Sequence, residues 1–347
     1  MFCCKKKRPI LQLDNEILQL ETEFLRHSKP NLETREVNIE VAGKQVRVHV
    51  LCGQLSQDRP SLVFVHGFGC TSALYYAFLT EAAKHFNVYA IDLPGMGCSG
   101  KPDLQWTLMT GAQVVDFYAD SLRETTRVLG LAKFHLAAHS LGAYLTFYFL
   151  RKYPDQAMSF SAISAGGMTG EPADFAARLK KKKLPLKSNI MRWMWGFLNK
   201  SYFKGHTAVS LLPIHYLITK WTADKFEFKN QEMKSAINLV TAVFKHPDFS
   251  IDILPKVFGF RAYSRQPVVD FLQNIERQVP VMHLFGQNDW MDKYAFSKFV
   301  KENQLLSRIE LIDDVGHQIP NFKPTELCNL ILDFTTNAQT PKKQSIN

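Results

Sequence analysis

Between residues 36 and 51 apolar and polar positions alternate: Val37, Ile39 and Val41, then Val46, Val48 and Val50, with Gly43 and Lys44 between the runs. A period of two predicts half-buried strands, and the intervening turn makes them a hairpin. Beyond a Gln57-Asp58-Arg59-Pro60 turn the pattern changes to short, continuous apolar runs at 62–65, 87–92, 134–138 and 159–165. Helical periodicity fills the intervals 72–85, 109–129 and 141–153. Buried strands alternating with helices predict a parallel sheet covered on both faces.

The rhythm breaks after Gly170. Residues 171–260 are basic, aromatic and mostly helical in pattern, with no buried strand. Strand patterns return at 279–285 and 309–312, and a terminal helix is predicted over 324–336. The expected fold is therefore α/β, with an eight-stranded, mostly parallel sheet. Its core comprises 35–170 and 261–338, and a helical lid over 171–260 is inserted after the sixth strand. Residues 1–34 read as a basic leader and a first helix, and 339–347 as a polar, disordered tail.

Composition narrows the class. With 46% apolar residues in 347, the chain can bury a full core. Its mean hydropathy is −0.14, and no apolar run reaches the roughly 18 residues of a spanning helix. The longest, 136–150, is interrupted by His139 and Ser140. No apolar stretch follows the basic N-terminus, so no secretory signal is readable. The six cysteines have neither metal-ligand spacing nor scaffold density and read as reduced thiols of a cytoplasmic protein. The net charge of +10 comes from two places: Lys5, Lys6, Lys7 and Arg8, and the acid-free segment 178–204 with nine basic residues. Such patches suit an anionic membrane surface; nucleic acid has only charge in its favour.

The chemistry gathers where strand meets helix. Ala138-His139-Ser140-Leu141-Gly142 is a small-x-Ser-x-small pattern between a strand and a helix, the signature of a nucleophile elbow at Ser140. Gly142 must be small to let helix and strand approach. An activated serine needs a base and an acid, which follow an elbow of this kind in the order acid, then histidine. Asp289, in the turn after the strand at 279–285, is the candidate acid, with Asp292 as a competitor. His317, in the loop after 309–312, is the candidate base. Asp313 and Asp314 lie too close to His317 and read as shaping its loop. His139 reads as lining the pocket. His66-Gly67-Phe68-Gly69 follows the strand at 62–65, and Gly67 and Gly69 free its backbone to turn N–H groups toward a developing oxyanion. The N–H groups of Phe68 and Leu141 are the candidate donors. Asp92 to Ser99 forms a tight structural loop at the same edge. No phosphate-loop, zinc or dinucleotide pattern is present, so no cofactor or metal is expected.

These motifs resemble the α/β-hydrolase superfamily over roughly residues 40–336. HGFG (66–69), DLPGMGCSG (92–100), HSLGAYL (139–145), GQNDWMD (286–292) and GH (316–317) are similar to the lysophospholipase and N-acyl-phospholipid lipase subfamily, which also contains the lipid-droplet lipase co-activator. The resemblance implies lipid acyl chemistry. Some co-activator relatives lack the serine; Ser140 is present here, which favours an enzyme over a non-catalytic lipid-binding regulator. Relatives that transfer acyl groups to lysophosphatidic acid carry Asp five residues after the histidine. Phe322 stands there in this chain, which argues against transfer.

The substrate is chosen by the insertion. Placed on a helix, residues 188–204 show a narrow polar stripe of Asn189, Arg192, Gly196 and Asn199, with Ile190, Met191, Trp193, Met194, Trp195, Phe197 and Leu198 around the remainder. Beside Lys180 to Lys183, this suits a membrane or lipid-droplet interface, or a lid helix packed on the core. Cys3 and Cys4 beside the polybasic run read as a palmitoylation site, whereas Phe2 excludes myristoylation. The expectation is a peripheral serine hydrolase of lipid acyl groups; a soluble small-ester or C–C bond hydrolase is the other enzymatic reading.

Overall fold

The computed structural model describes residues 10–28, 31–53, 55–172, 230–246, 249–259, 263–291 and 293–338. Cys3, Cys4, the basic segments 5–8 and 178–204, Asp292 and the tail 339–347 lie outside the described residues.

Eight strands form one sheet: β1 (Leu32–Val41), β2 (Lys44–Gly53), β3 (Ser61–Val65), β4 (Asn87–Ile91), β5 (Phe134–His139), β6 (Ala157–Ile163), β7 (Val281–Gly286) and β8 (Arg308–Ile312). Their spatial order is β1-β2-β4-β3-β5-β6-β7-β8. The first hairpin is antiparallel, with Val37 opposite Val48, and β2 pairs antiparallel with β4. Every pairing from β4 to β8 is parallel. The parallel strands β3, β5, β6 and β7 are almost fully buried, which is why they read as continuous apolar runs. Parallel alignment also sends the loops after β3, β5, β7 and β8 out of the same sheet edge.

Helices α1 (Ile10–Ser28), α2 (Tyr76–Ala82), α3 (Gly111–Val128), α4 (Leu141–Lys152), α5 (Asn230–Lys245), α6 (Lys293–Glu302) and α7 (Pro324–Ala338) surround the sheet. The pattern over 72–85 resolves into a tight 3-10 turn, Ser72–Tyr75, followed by α2. Helix α3 begins at a capping box in which Thr110 and Gln113 satisfy each other's backbone N–H groups. Its start two residues inside the predicted 109 follows from that cap. Helix α6, between β7 and β8, was not expected. Its buried face holds only Lys293, Phe296 and Val300, too few apolar positions to register as a period. In α1, buried Ile17, Glu21 and Phe24 lie at spacings of four and three, one face of a helix. That face packs on α5, which follows β6 and turns Ala236, Leu239, Val240 and Val243 inward.

Candidate active site

Ser140 sits between β5 and α4 with φ 54° and ψ −114°, a conformation side chains rarely adopt. The strain persists because its backbone is pinned: its N–H donates to Ile163 O (2.9 Å), and its carbonyl accepts from Gly166 N–H at 3.3 Å. Two residues on, Gly142 explains the small-residue requirement. A Cβ there would lie 2.3 Å from His66 O and 2.7 Å from Val65 O, so any side chain would push α4 off the end of β3.

His317 reaches Ser140 from the loop after β8. Its Nε2 is 3.0 Å from Ser140 Oγ, and its Nδ1 is 3.0 Å from Asp289 Oδ1. Ionised Asp289 can only accept, so Nδ1 carries the proton and Nε2 is left to accept from the serine hydroxyl. Burial alone would raise the Asp289 pKa, but the hydrogen bond and charge of His317 outweigh it and bring the carboxyl down to about 2. Met291 N–H donates to the same oxygen (3.1 Å), and the Lys293 ammonium donates to the Asp289 carbonyl (3.1 Å). Asp313 and Asp314 stay outside this arrangement. Trp290 packs against the His317 ring, with centroids 5.2 Å apart, yet is 57% exposed.

The loop after β3 lies beside the serine. A Cβ on Gly67 would meet His139 Nδ1 at 2.9 Å and Ser140 Cβ at 3.2 Å. Gly69, at φ +69°, faces Phe244 of α5. Phe68 packs edge-on against Phe244 (6.1 Å) and tilted against Phe249 (5.4 Å). Among the described residues, no hydrogen bond engages the N–H of Phe68 or that of Leu141. Two uncommitted donors beside an activated hydroxyl can stabilise a developing oxyanion.

His139 is 1% exposed, so it sits buried beside the site rather than open to it. Burial, reinforced by nearby His317, lowers its pKa to about 3. Deeper lies a charged cluster. His49 Nε2 is 2.9 Å from Glu21 of α1, and its Nδ1 is 3.5 Å from Asp92. Burial would lower the His49 pKa, but the two carboxylates hold it up at about 10. Asp92 in turn accepts from Ser72 N–H (2.6 Å) and Cys98 N–H (2.8 Å). Donor atoms of Glu21, His49, Asp92 and Cys98 lie within 4.8 Å of one another. The two carboxylates face the two different nitrogens of one imidazole, so a protonated His49 pairs its charge with both. The cluster ties α1 and β2 to the loop after β4.

The alpha/beta hydrolase family profile matches residues 62–330. The chain belongs to the alpha/beta hydrolase family. Relatives within it act on lipids by name. A 1-acylglycerol-3-phosphate O-acyltransferase of Arabidopsis thaliana is 24% identical over 75% of this chain, and the match spans 63% of that relative's length. A (lyso)-N-acylphosphatidylethanolamine lipase of Bos taurus is 23% identical over 68% of this chain and 67% of its own. Solved structures share the fold at low identity. A bacterial membrane phospholipase A matches with a TM-score of 0.63 and 18% identity, over 95% of this chain and 93% of its own. The carboxylesterase CesB of Bacillus subtilis matches with 0.63 and 18%, over 94% and 99%.

The structure thus brings Ser140, Asp289, His317, Phe68 and Leu141 to one edge of the sheet. Reading the sequence missed Tyr75, whose hydroxyl lies 3.0 Å from His139 Nδ1 across 64 residues of chain. It also missed Gly286, where a Cβ would meet Gly316 O at 2.3 Å and so part the Asp289 loop from the His317 loop. Neither position stands out in a local window; Gly286 at the end of β7 and Gly316 in the loop after β8 were the available signal for the second.

Proposed function

We propose that this protein is a serine hydrolase that removes acyl groups from lipids (lysophospholipids, N-acyl phospholipids or acylglycerols) at a membrane or lipid-droplet surface. The observation that carries the reading is His317 standing 3.0 Å from both Ser140 Oγ and Asp289 Oδ1. Ser140 attacks the acyl carbonyl as its proton passes to His317 Nε2. The N–H groups of Phe68 and Leu141 hold the oxyanion, and Asp289 stabilises the imidazolium. His317 then protonates the leaving group. Water, deprotonated by His317, attacks the acyl-enzyme and the fatty acid departs. No cofactor is needed.

The lipid part of the reading draws on the names of the relatives, on the basic segments 5–8 and 178–204, and on exposed Trp290 beside His317. Among the described residues no helix is long and apolar enough to cross a membrane, and a peripheral, cytoplasmic-face attachment fits the free thiols Cys52, Cys70, Cys98 and Cys328. Acylated Cys3 or Cys4 beside a polybasic run would supply the two signals that stable anchoring takes.

A fluorophosphonate probe tests the enzyme. Labelling abolished by Ser140→Ala supports it; folded wild-type protein that stays unlabelled leaves a non-catalytic regulator. The second reading is acyl transfer to lysophosphatidic acid, favoured by the name of the Arabidopsis relative. Phe322, in the one-turn helix Ile319–Phe322, occupies the position where transfer enzymes of the subfamily carry Asp. Radiolabelled acyl lipid incubated with added lysophosphatidic acid separates the two: free fatty acid marks hydrolysis, labelled phosphatidic acid marks transfer.

A further inference from the structure

Three hydrogen bonds run unbroken from the loop after β3 to the loop after β8. Gly67 N–H donates to Tyr75 Oη at 3.3 Å. Tyr75 Oη lies 3.0 Å from His139 Nδ1, and His139 Nε2 lies 2.8 Å from the His317 carbonyl. Valence sets every direction. A carbonyl only accepts, so His139 Nε2 carries a proton; a neutral ring then accepts at Nδ1, and the Tyr75 hydroxyl must donate. The low pKa of His139 keeps the ring neutral at physiological pH.

The first two links of this chain are also buried. Tyr75 has no exposed surface, its ring packs tilted against Phe64 (5.0 Å), and it leans on His139 at 5.6 Å. The rings of His139 and His317 are 4.8 Å apart. The Gly67–Tyr75 and Tyr75–His139 links are buried away from water, and the Tyr75 and His139 rings are held by packing.

We propose that Tyr75 and His139 are positioning residues whose one-way hydrogen-bond chain sets the distance between the oxyanion turn at Gly67–Phe68 and the base His317. The proposal rests on the serine-hydrolase reading above. In that chemistry negative charge builds at the Phe68 and Leu141 N–H groups while positive charge builds on His317, in one transition state. The two loops come from strands on either side of β5, and β3 and β8 are not themselves paired in the sheet. A chain of three directional bonds sets their spacing without touching the substrate.

The test uses the full-length protein, p-nitrophenyl butyrate as substrate and a fluorophosphonate to count active sites. Per titrated site, Tyr75→Phe lowers kcat about tenfold to a hundredfold and leaves KM within about twofold, the pattern of small misplacement in the transition state. Binding of butylboronic acid, which mimics the tetrahedral adduct, weakens by the same factor. His139→Gln keeps a donor for the His317 carbonyl and retains more activity than His139→Leu. The double variant Tyr75→Phe, His139→Leu is no slower than His139→Leu alone. Variants with full site titre and kcat within twofold of wild type overturn the proposal and leave the hydrolase reading intact. Wild-type protein that takes up no fluorophosphonate overturns both. If the variants do not fold, nitrogen-15 shifts of the histidines in wild-type protein decide: a neutral, Nε2-protonated His139 from pH 5 to 8 is expected, and an Nδ1-protonated or charged ring overturns the chain.

Discussion

Phe244 of the lid-side helix α5 fills the space a side chain on Gly69 would need: a Cβ at residue 69 would lie 2.5 Å from Phe244 Cζ. Gly69→Ala therefore meets two penalties, this clash and the left-handed φ of +69°. Adding Phe244→Ala removes the first and leaves only the second, about 1–2 kcal/mol. The double variant is expected to be less destabilised than the sum of the singles. A double-mutant cycle measured by urea unfolding checks this, and additive values would show that the ring simply moves aside.

Asp289→Asn keeps the shape of the acid and removes its charge. The amide stabilises the wrong tautomer of His317, and kcat is expected to fall by about 10⁴. Stability follows a separate rule. A carboxyl held at about 2 instead of the ordinary 3.8 stabilises the fold above pH 4 and loses that contribution as pH falls through 2. The amount is on the order of 2 kcal/mol. Wild type and variant should therefore converge in melting temperature between pH 4 and pH 2, and parallel curves would contradict the assignment.

His49 works in the opposite direction. Its folded-state pKa is raised from 6.5 to about 10 by Glu21 and Asp92 against the pull of burial. Below pH 6.5 the ring is charged in both states and the contribution is complete. As pH climbs from there through 10, the folded protein holds a proton the unfolded chain has lost, so stability declines. Glu21→Gln takes away one of the two charges, and the decline is expected to level off at lower pH. Thermal melts from pH 6 to 10 measure both curves.

Gly286→Ala probes the joint between the acid and the base. The added methyl would stand 2.3 Å from Gly316 O and 2.4 Å from Val315 O, so the two loops must separate. A shift of about 1 Å between Asp289 and His317 costs roughly a hundredfold in rate. Fluorophosphonate labelling is expected to slow by that factor in whatever protein folds, while unchanged labelling would place the joint elsewhere.

What could be read from the chain was whatever repeats or clusters locally. The strands at 62–65 and 134–138 announced themselves because burial on both faces leaves no polar position. Ser140 stood out because an elbow needs small neighbours two residues away. Asp289 and His317 followed from strand ends and order along the chain. His139 was misjudged as lining the pocket because only folding brings Tyr75 and the His317 carbonyl to its two nitrogens. The ionic cluster was invisible for a related reason: Glu21, His49 and Asp92 belong to a helix, a strand and a loop, and each alone is an ordinary polar residue. Helix α6 escaped notice because its buried face is three residues long.

The order of the strands carries one more consequence. Ser140 hangs from β5, in the middle of the sheet, whereas His317 follows β8, which pairs on one side only. Leu311 on β8 is 48% exposed, and the strand has a single fully buried position, Ile312. Edge strands open locally at less cost than central ones. As urea rises, the base should part from the serine before the sheet melts, so ester hydrolysis disappears at a concentration where circular dichroism still reports a folded chain. On that expectation the proposed catalytic apparatus comes apart before the fold does.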